Sequence, residues 1–202
     1  MKVLLINGSP HEKGCTYTAL SLIAGELKAQ GIETEILHVG GQPVGGCIGC
    51  GGCRSGNGCV FGGVVNEAIE KAKTADAFVF GSPVHYASAA GNMASFMDRL
   101  AYAGGKYLAY KPAAICCSAR RAGTTSTLDQ LVKYPQFFHM PLVNGSYWAM
   151  VHGSNPEQVL QDAEGCAVMQ ELGRNMAWLL RCIEAGKAAG IDHPQNPPRP
   201  MT

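Results

Sequence analysis

Four cysteines stand within thirteen residues: Cys47, Cys50, Cys53 and Cys59, in the spacing C-x2-C-x2-C-x5-C. They fall in residues 40–63, where 24 positions also hold eleven glycines. Loops of this length that lack secondary structure are functional or disordered. So compact a set of thiols points to metal or redox chemistry and away from a disulfide framework. The first three cysteines match the run of a bacterial ferredoxin, while the fourth lies further on and no proline follows it. Glycine neighbours let a backbone wrap closely around a cluster and turn N–H groups toward its sulfurs. A zinc ribbon separates two pairs by a longer span, so this spacing favours an Fe–S site over zinc. A zinc site, a redox dithiol and a loop of free cysteines are the alternatives.

The second stretch with chemical potential is residues 7–16, N-G-S-P-H-E-K-G-C-T. It follows the apolar run K-V-L-L-I and precedes Leu20, Ile23, Ala24 and Leu27 at i, i+3, i+4 and i+7. Buried strand, tight loop and helix N-terminus in succession open an α/β unit. Unpaired N–H groups and the positive end of the helix dipole make this loop an anion seat, with Ser9, Thr16 and Thr18 adding hydroxyls. The plainer reading is that Ser9 and Thr16 cap the helix. The loop is neither G-x-G-x-x-G nor G-x-x-x-x-G-K-[ST], which disfavours a Rossmann dinucleotide site and a nucleoside triphosphatase. No cysteine has an arginine at the tyrosine-phosphatase offset. A monophosphate seat remains.

The elements that must position these stretches alternate along the chain. Residues 33–39, 77–81, 113–117 and 141–144 are expected as further strands. Helical stripes run through Val65, Ala68, Ile69 and Ala72, through Met93, Phe96, Met97 and Leu100, and over residues 125–138. A long last helix is expected to present Leu172, Met176, Leu179, Leu180 and Ile183 on one face. Five strands alternating with five helices predict an α/β fold, a doubly wound parallel sheet covered on both faces. Right-handed crossovers then bring residues 7–16, 40–63, 82–91 and 118–124 to one sheet edge, with 145–155 as a fifth candidate. Residues 1–189 form the domain, and 190–202, with Pro194, Pro197, Pro198 and Pro200, form a Pro-rich arm. Asp98 and Arg99 are expected as a structural ion pair, Cys116 and Cys117 as core residues, and Cys166 and Cys182 as helix packing.

Composition excludes several functions. Sixteen basic and fifteen acidic residues give a net charge of +1 without long runs of either sign, which argues against a nucleic-acid or membrane-surface partner. No stretch approaches the ~18 apolar residues of a membrane span. The N-terminal apolar run is too short for a signal-peptide core, so the expected location is cytoplasmic. Charged residues make up 15% of the chain, below the usual ~25%, which suggests buried subunit contacts.

Three stretches carry a family likeness: G-S-P-H-E-K-G-C-T at 8–16, G-S-P-V-H-Y at 81–86 with F-M-D-R at 96–99, and S-A-R-R-A-G-T-T at 118–125. Together they resemble the flavodoxin-like NADPH-dependent FMN reductases, a family that includes flavodoxin-type quinone reductases and iron-sulfur flavoproteins. The resemblance covers nearly the whole chain and implies a flavodoxin-like sheet of order 2-1-3-4-5. It implies that Ser9, Pro10, His11, Gly14, Cys15 and Thr16 surround the FMN phosphate. Ser82, Pro83, Val84, His85 and Tyr86 would lie along the isoalloxazine, and Ser118, Ala119, Arg120, Arg121, Gly123 and Thr124 along its other edge. His11 and Cys15 depart from the family's usual residues. The four cysteines match the iron-sulfur flavoprotein motif one by one, which implies a [4Fe–4S] cluster.

The expected function is therefore an FMN-dependent oxidoreductase passing electrons from NAD(P)H to a small acceptor such as a quinone or a flavin. Arg120 and Arg121 are candidates for the nicotinamide phosphates, and Tyr147 and Trp148 for the pocket wall. A second reading is an electron carrier fed by ferredoxin through the Cys47, Cys50, Cys53 and Cys59 cluster. A third is a redox-sensing or zinc-binding protein. The resemblance suggests a homodimer or homotetramer.

Overall fold

The protein's structure, a computed structural model, describes residues 1–196. Strands β1 (Lys2–Asn7), β2 (Glu33–His38), β3 (Ala77–His85), β5 (Ala113–Ala119) and β6 (Met150–His152) form a parallel sheet. Their order is β2-β1-β3-β5-β6, and the two-residue β4 (Ser88–Ala89) pairs antiparallel with β3. Counting parallel strands alone, this is the doubly wound 2-1-3-4-5 order. Helices α1 (Cys15–Ala29), α2 (Val64–Thr74), α3 (Gly91–Gly104), α4 (Thr124–Phe137), α5 (Pro156–Gln161) and α6 (Ala163–Ala188) complete the fold.

Alternating side chains divide the core in two. Leu4, Ile6, Phe78, Phe80 and Ile115 point to the face covered by α2, α3 and α4. Val3, Leu5, Val79, Ala114 and Cys116 point to the face covered by α1 and α6. The two-residue period of a strand buried on both faces produces this split. Phe78, Phe80 and Phe96 are almost wholly buried, each contributing roughly 1.5–3 kcal/mol relative to exposure.

The last parallel strand is not at residues 141–144. Pro141 accepts from Ala113 N and Val143 N donates to Ala113 O, at 2.9 and 2.8 Å, but Leu142 makes only an isolated bridge. The chain then bulges through Asn144–Trp148 and rejoins the sheet where Cys117 N donates to Ala149 O at 3.0 Å. Strand β6 follows, with Val151 fully buried between solvent-reaching neighbours. Two other expectations change at the C-terminal side. A short helix, α5, precedes α6, and Ile183 and Cys182 lie on the outer part of α6 rather than in the packed stripe. Within the expected arm, residues 191–196 carry no regular structure and turn back onto their own chain. The His193 ring stacks on Tyr110 at 4.4 Å, and Asn196 donates to the Tyr110 hydroxyl. Pro197, Pro198 and Pro200 lie outside the described residues. Among the described residues no helix is long and apolar enough to cross a membrane.

Candidate functional site

The strand order reverses between β1 and β3, and their carboxyl ends open the crevice where α/β sheets bind ligands. Asn7, at the end of β1, is fully buried and shapes the loop that follows. Its Oδ1 accepts from Ser9 N at 3.1 Å and its Nδ2 donates to Glu12 O at 2.9 Å. Ser9 Oγ accepts from His11 N at 3.1 Å, leaving its proton for another acceptor. His38 Nε2 donates to Ser9 O at 2.8 Å, which fixes the proton on that nitrogen. The N-cap of α1 is Gly14, and no side chain caps the first turn. Ser9 and Thr16 are therefore not the helix caps of the plainer reading.

Thr16 Oγ1 shares a 2.8 Å hydrogen bond with Ser118 Oγ, both hydroxyls being buried. This bond ties the first turn of α1 to the end of β5, next to the loops that follow β1 and β5. Pro10 and His11 are exposed, while Gly14 and Cys15 are half-buried. Burial pushes the Cys15 thiol up from its ordinary pKa, and its Sγ faces Gly153 O at 3.6 Å.

Strand β3 runs past Gly81 through Ser82, Pro83 and Val84 to His85, then turns on Tyr86 and Ala87 into β4. Tyr86 and Ala87 have φ of 49° and 59°, the two positive angles of a type I′ hairpin. Both residues are non-glycine, so the turn stores strain, and such strain gathers at ligand clamps. Tyr86 is wholly exposed at the tip. Ser82 is buried, with its hydroxyl donating to Pro83 O and accepting from Ala90 N; that hydroxyl is committed inside the hairpin. Helix α4 braces the turn: Ser126 Oγ donates to Ala87 O at 2.7 Å, and Gln130 Oε1 accepts from Ala89 N at 2.9 Å. Gly123 supplies the left-handed N-cap of α4 at φ 96°, and a Cβ there would meet Ala87 Cα at 2.7 Å.

Between these loops, Ala119 and Thr124 are buried while Arg120 and Arg121 are exposed. His152 Nε2 donates to Arg121 O at 3.2 Å. Tyr147 and Trp148, edge to face at 4.8 Å, stand exposed on the bulge before β6.

The cysteine loop leaves β2 on the same edge. A Cβ on Gly40 would come within 2.1 Å of Ser9 O and 2.6 Å of Gly8 O, so only glycine lets the loop's root pass against the first loop. Asn92 then pins it, donating to Gly40 O and Gln42 O and accepting from Val44 N. Asn66 brackets Cys59 by accepting from its N and donating to its O. Cys47, Cys50, Cys53 and Cys59 are all free thiols and all line one cavity of about 300 Å³. Ile48, Val60, Phe61, Arg99 and Tyr102 complete its wall. Among the described residues no three thiol, imidazole or carboxylate groups are close enough to hold a single metal ion.

Arg99 is the residue that the sequence reading misassigned. It makes no ion pair with Asp98. Instead Nε donates to Cys59 Sγ at 3.2 Å, while the other two nitrogens donate to Gly45 O and Gly62 O. Asp98 points the other way and accepts from Tyr134 OH at 2.6 Å. Adjacent side chains on a helix diverge by 100°, so neighbours in sequence rarely pair. The signal available was a guanidinium beside the apolar stripe of Met93, Phe96, Met97 and Leu100. The roles of Asn7, His38, Asn66 and Asn92 are likewise absent from the sequence patterns, since each acts by hydrogen bonds to loop backbone, near for Asn7 and Asn66 and distant for His38 and Asn92. Cys116 and Cys117 are buried, and burial pushes the Cys117 thiol to about 12 and Cys116 higher, which makes them inert core residues.

Comparison with known proteins agrees with this architecture. The fold is similar to that of RosB, solved with a bound riboflavin-5′-phosphate derivative, at a TM-score of 0.73 and 14% identity over 100% of this chain and 91% of that one. It is also similar to an NADH:FMN oxidoreductase (EmoB) in its apo form, at a TM-score of 0.65 and 16% identity over 88% and 89% of the two chains. These likenesses define a flavodoxin-like α/β protein. A sequence model described as NADPH-dependent FMN reductase matches residues 1–155, and the chain belongs to that family. An iron-sulfur flavoprotein of Methanocaldococcus jannaschii is 27% identical over 91% of this chain and 100% of its own length. One from Methanosarcina thermophila is 22% identical over 93% and 99%.

Proposed function

We propose that this chain is an FMN-dependent oxidoreductase whose cysteine cavity holds a [4Fe–4S] cluster. The observation that carries the reading is that all four cysteines of the C-x2-C-x2-C-x5-C run line a single cavity. The relatives of full length named above are iron-sulfur flavoproteins, which supports it. Four thiolates suit such a cluster, and the glycine-rich backbone lets them close on it.

The residues of the sheet edge suit FMN. Ser9 has a free hydroxyl proton and the α1 N-terminus lacks a side-chain cap. Bound flavin supplies the hydride and single-electron chemistry. The chain's part is to anchor the phosphate through residues 9–16 and to hold the ring between the Pro83–Tyr86 hairpin and residues 118–124. Gly40, packed on Ser9, fixes the cysteine loop relative to that anchor.

A spectrum of anaerobically purified protein, with iron and acid-labile sulfide assays, tests this reading. Flavin absorption with about four iron and four sulfide per chain is expected for a filled site. Serine at any of the four cysteines removes the iron and leaves the flavin. Flavin without iron or sulfide after reconstitution refutes the cluster.

The family's description favours NADPH as donor, and the exposed Arg120 and Arg121 suit its phosphates. Rapid mixing of the oxidised protein with NADPH should then bleach the flavin. No bleaching with NADPH or NADH leaves a protein carrier, such as a ferredoxin, as the donor.

A further inference from the structure

Arg99 is 6% exposed. Among the described residues no carboxylate lies within ion-pair distance of its guanidinium, a cationic group with five donors and no acceptor. Its neighbours are two carbonyls, the Phe61 ring at 5.4 Å and the Cys59 sulfur. A buried cation without an anion is costly unless its surroundings supply negative charge. Cys59 is the one group among these partners that can carry such charge, and Cys47, Cys50 and Cys53 line the same cavity.

We propose that Arg99 is the buried counter-cation of this cavity and sets the reduction potential of the cluster held there. This rests on the cluster reading above. Adding an electron makes four thiolates and their cluster more negative by one charge, and a desolvated cation stabilises that form. Net charge and hydrogen bonds to the sulfurs both govern such potentials, and Arg99 contributes to each through one side chain. Arg54 lines the same cavity but is exposed, so solvent screens its charge.

The test is a redox titration of loaded wild-type, R99Q, R99K and R54Q proteins, with dithionite as electron source and electron paramagnetic resonance as readout. Iron and sulfide contents and thermal melts accompany it. R99Q should lower the reduction equilibrium constant at least tenfold, a shift of about 59 mV to more negative potential. R99K keeps the charge and should stay closer to wild type than to R99Q, and R54Q should move less than R99Q. Loaded R99Q at the wild-type potential overturns the proposal, as does R99K falling with R99Q. If R99Q takes up no cluster, R99K decides: loading at the wild-type potential supports the charge role, and failure to load makes Arg99 a geometric clamp only. Wild-type protein that takes up no iron or sulfide overturns the cluster reading and this inference together, a result distinct from loaded variants of equal potential.

Discussion

Replacing Gly40 with alanine tests whether the first loop is the flavin anchor. The added Cβ would stand 2.1 Å from Ser9 O, 2.4 Å from Ser9 C and 2.6 Å from Gly8 O. All three are backbone atoms, so no side chain can swing aside. The loops must part by more than an ångström before the contact becomes ordinary. Two hydrogen bonds resist that movement: His38 Nε2 to Ser9 O at 2.8 Å and Gly8 N to Gly81 O at 2.9 Å. Losing them and relieving the overpacking costs about 1–3 kcal/mol of stability. A Ser9 displaced by that distance cannot keep a phosphate contact, so FMN affinity should fall about 10–100-fold. Titrating apoprotein into FMN and following fluorescence quenching measures this directly. Gly45 is the control, because a Cβ there meets nothing within 4 Å, and G45A should bind FMN as wild type does. A folded G40A with unchanged affinity would show that the first loop is not the anchor and would remove the link between the cysteine loop and the flavin seat.

Other predictions concern the supports of the site. N92A removes three hydrogen bonds to Gly40, Gln42 and Val44 and should speed limited proteolysis within residues 40–63 several-fold, with little change in cleavage elsewhere. Y134F deletes the 2.6 Å bond to Asp98 that joins α4 to α3; a hydrogen bond to a charged group contributes about 1.5–3 kcal/mol, so Tm should fall by about 3–12 °C. Glu35 is held below the usual carboxylate range, first by its hydrogen bond from Lys2 and then by Lys71. A lowered folded pKa means its contribution is complete above the ordinary glutamate pKa of about 4.3 and is lost as pH falls through the lower folded value. Urea melts from pH 7 to 3 should therefore show E35Q less stable than wild type at neutrality and a shallower decline in acid; parallel curves would refute the assignment.

Much of the architecture was legible because local patterns and tertiary demands coincide. Each inner strand is buried on both faces, so runs such as Val3–Ile6 and Phe78–Phe80 announce themselves. The loop through residues 9–16 is legible because strand, small-residue loop and helix follow one another without interruption. The spacing of Cys47, Cys50, Cys53 and Cys59 likewise marks them as one group, and the structure lines one cavity with all four. The edge strand was legible only in part, because residues 141–143 begin its pairing but the bulge through Tyr147 and Trp148 moves the strand proper to Met150–His152. A local pattern cannot reveal where an edge strand rejoins its neighbour, since the partner's free backbone groups decide that.

The chain's own order of residues determined the doubly wound sheet, the loops that share its edge and the four thiols among them. Only the tertiary structure decided what holds those loops. Arg99 turns to Cys59 rather than Asp98, Asn92 grips Gly40 and Gln42, Thr16 meets Ser118, and His38 holds Ser9. These partners lie between 29 and 102 residues apart. The alternation of apolar residues carries no record of such pairs, because proximity in the folded chain, not spacing along it, sets a side chain's hydrogen-bond partner.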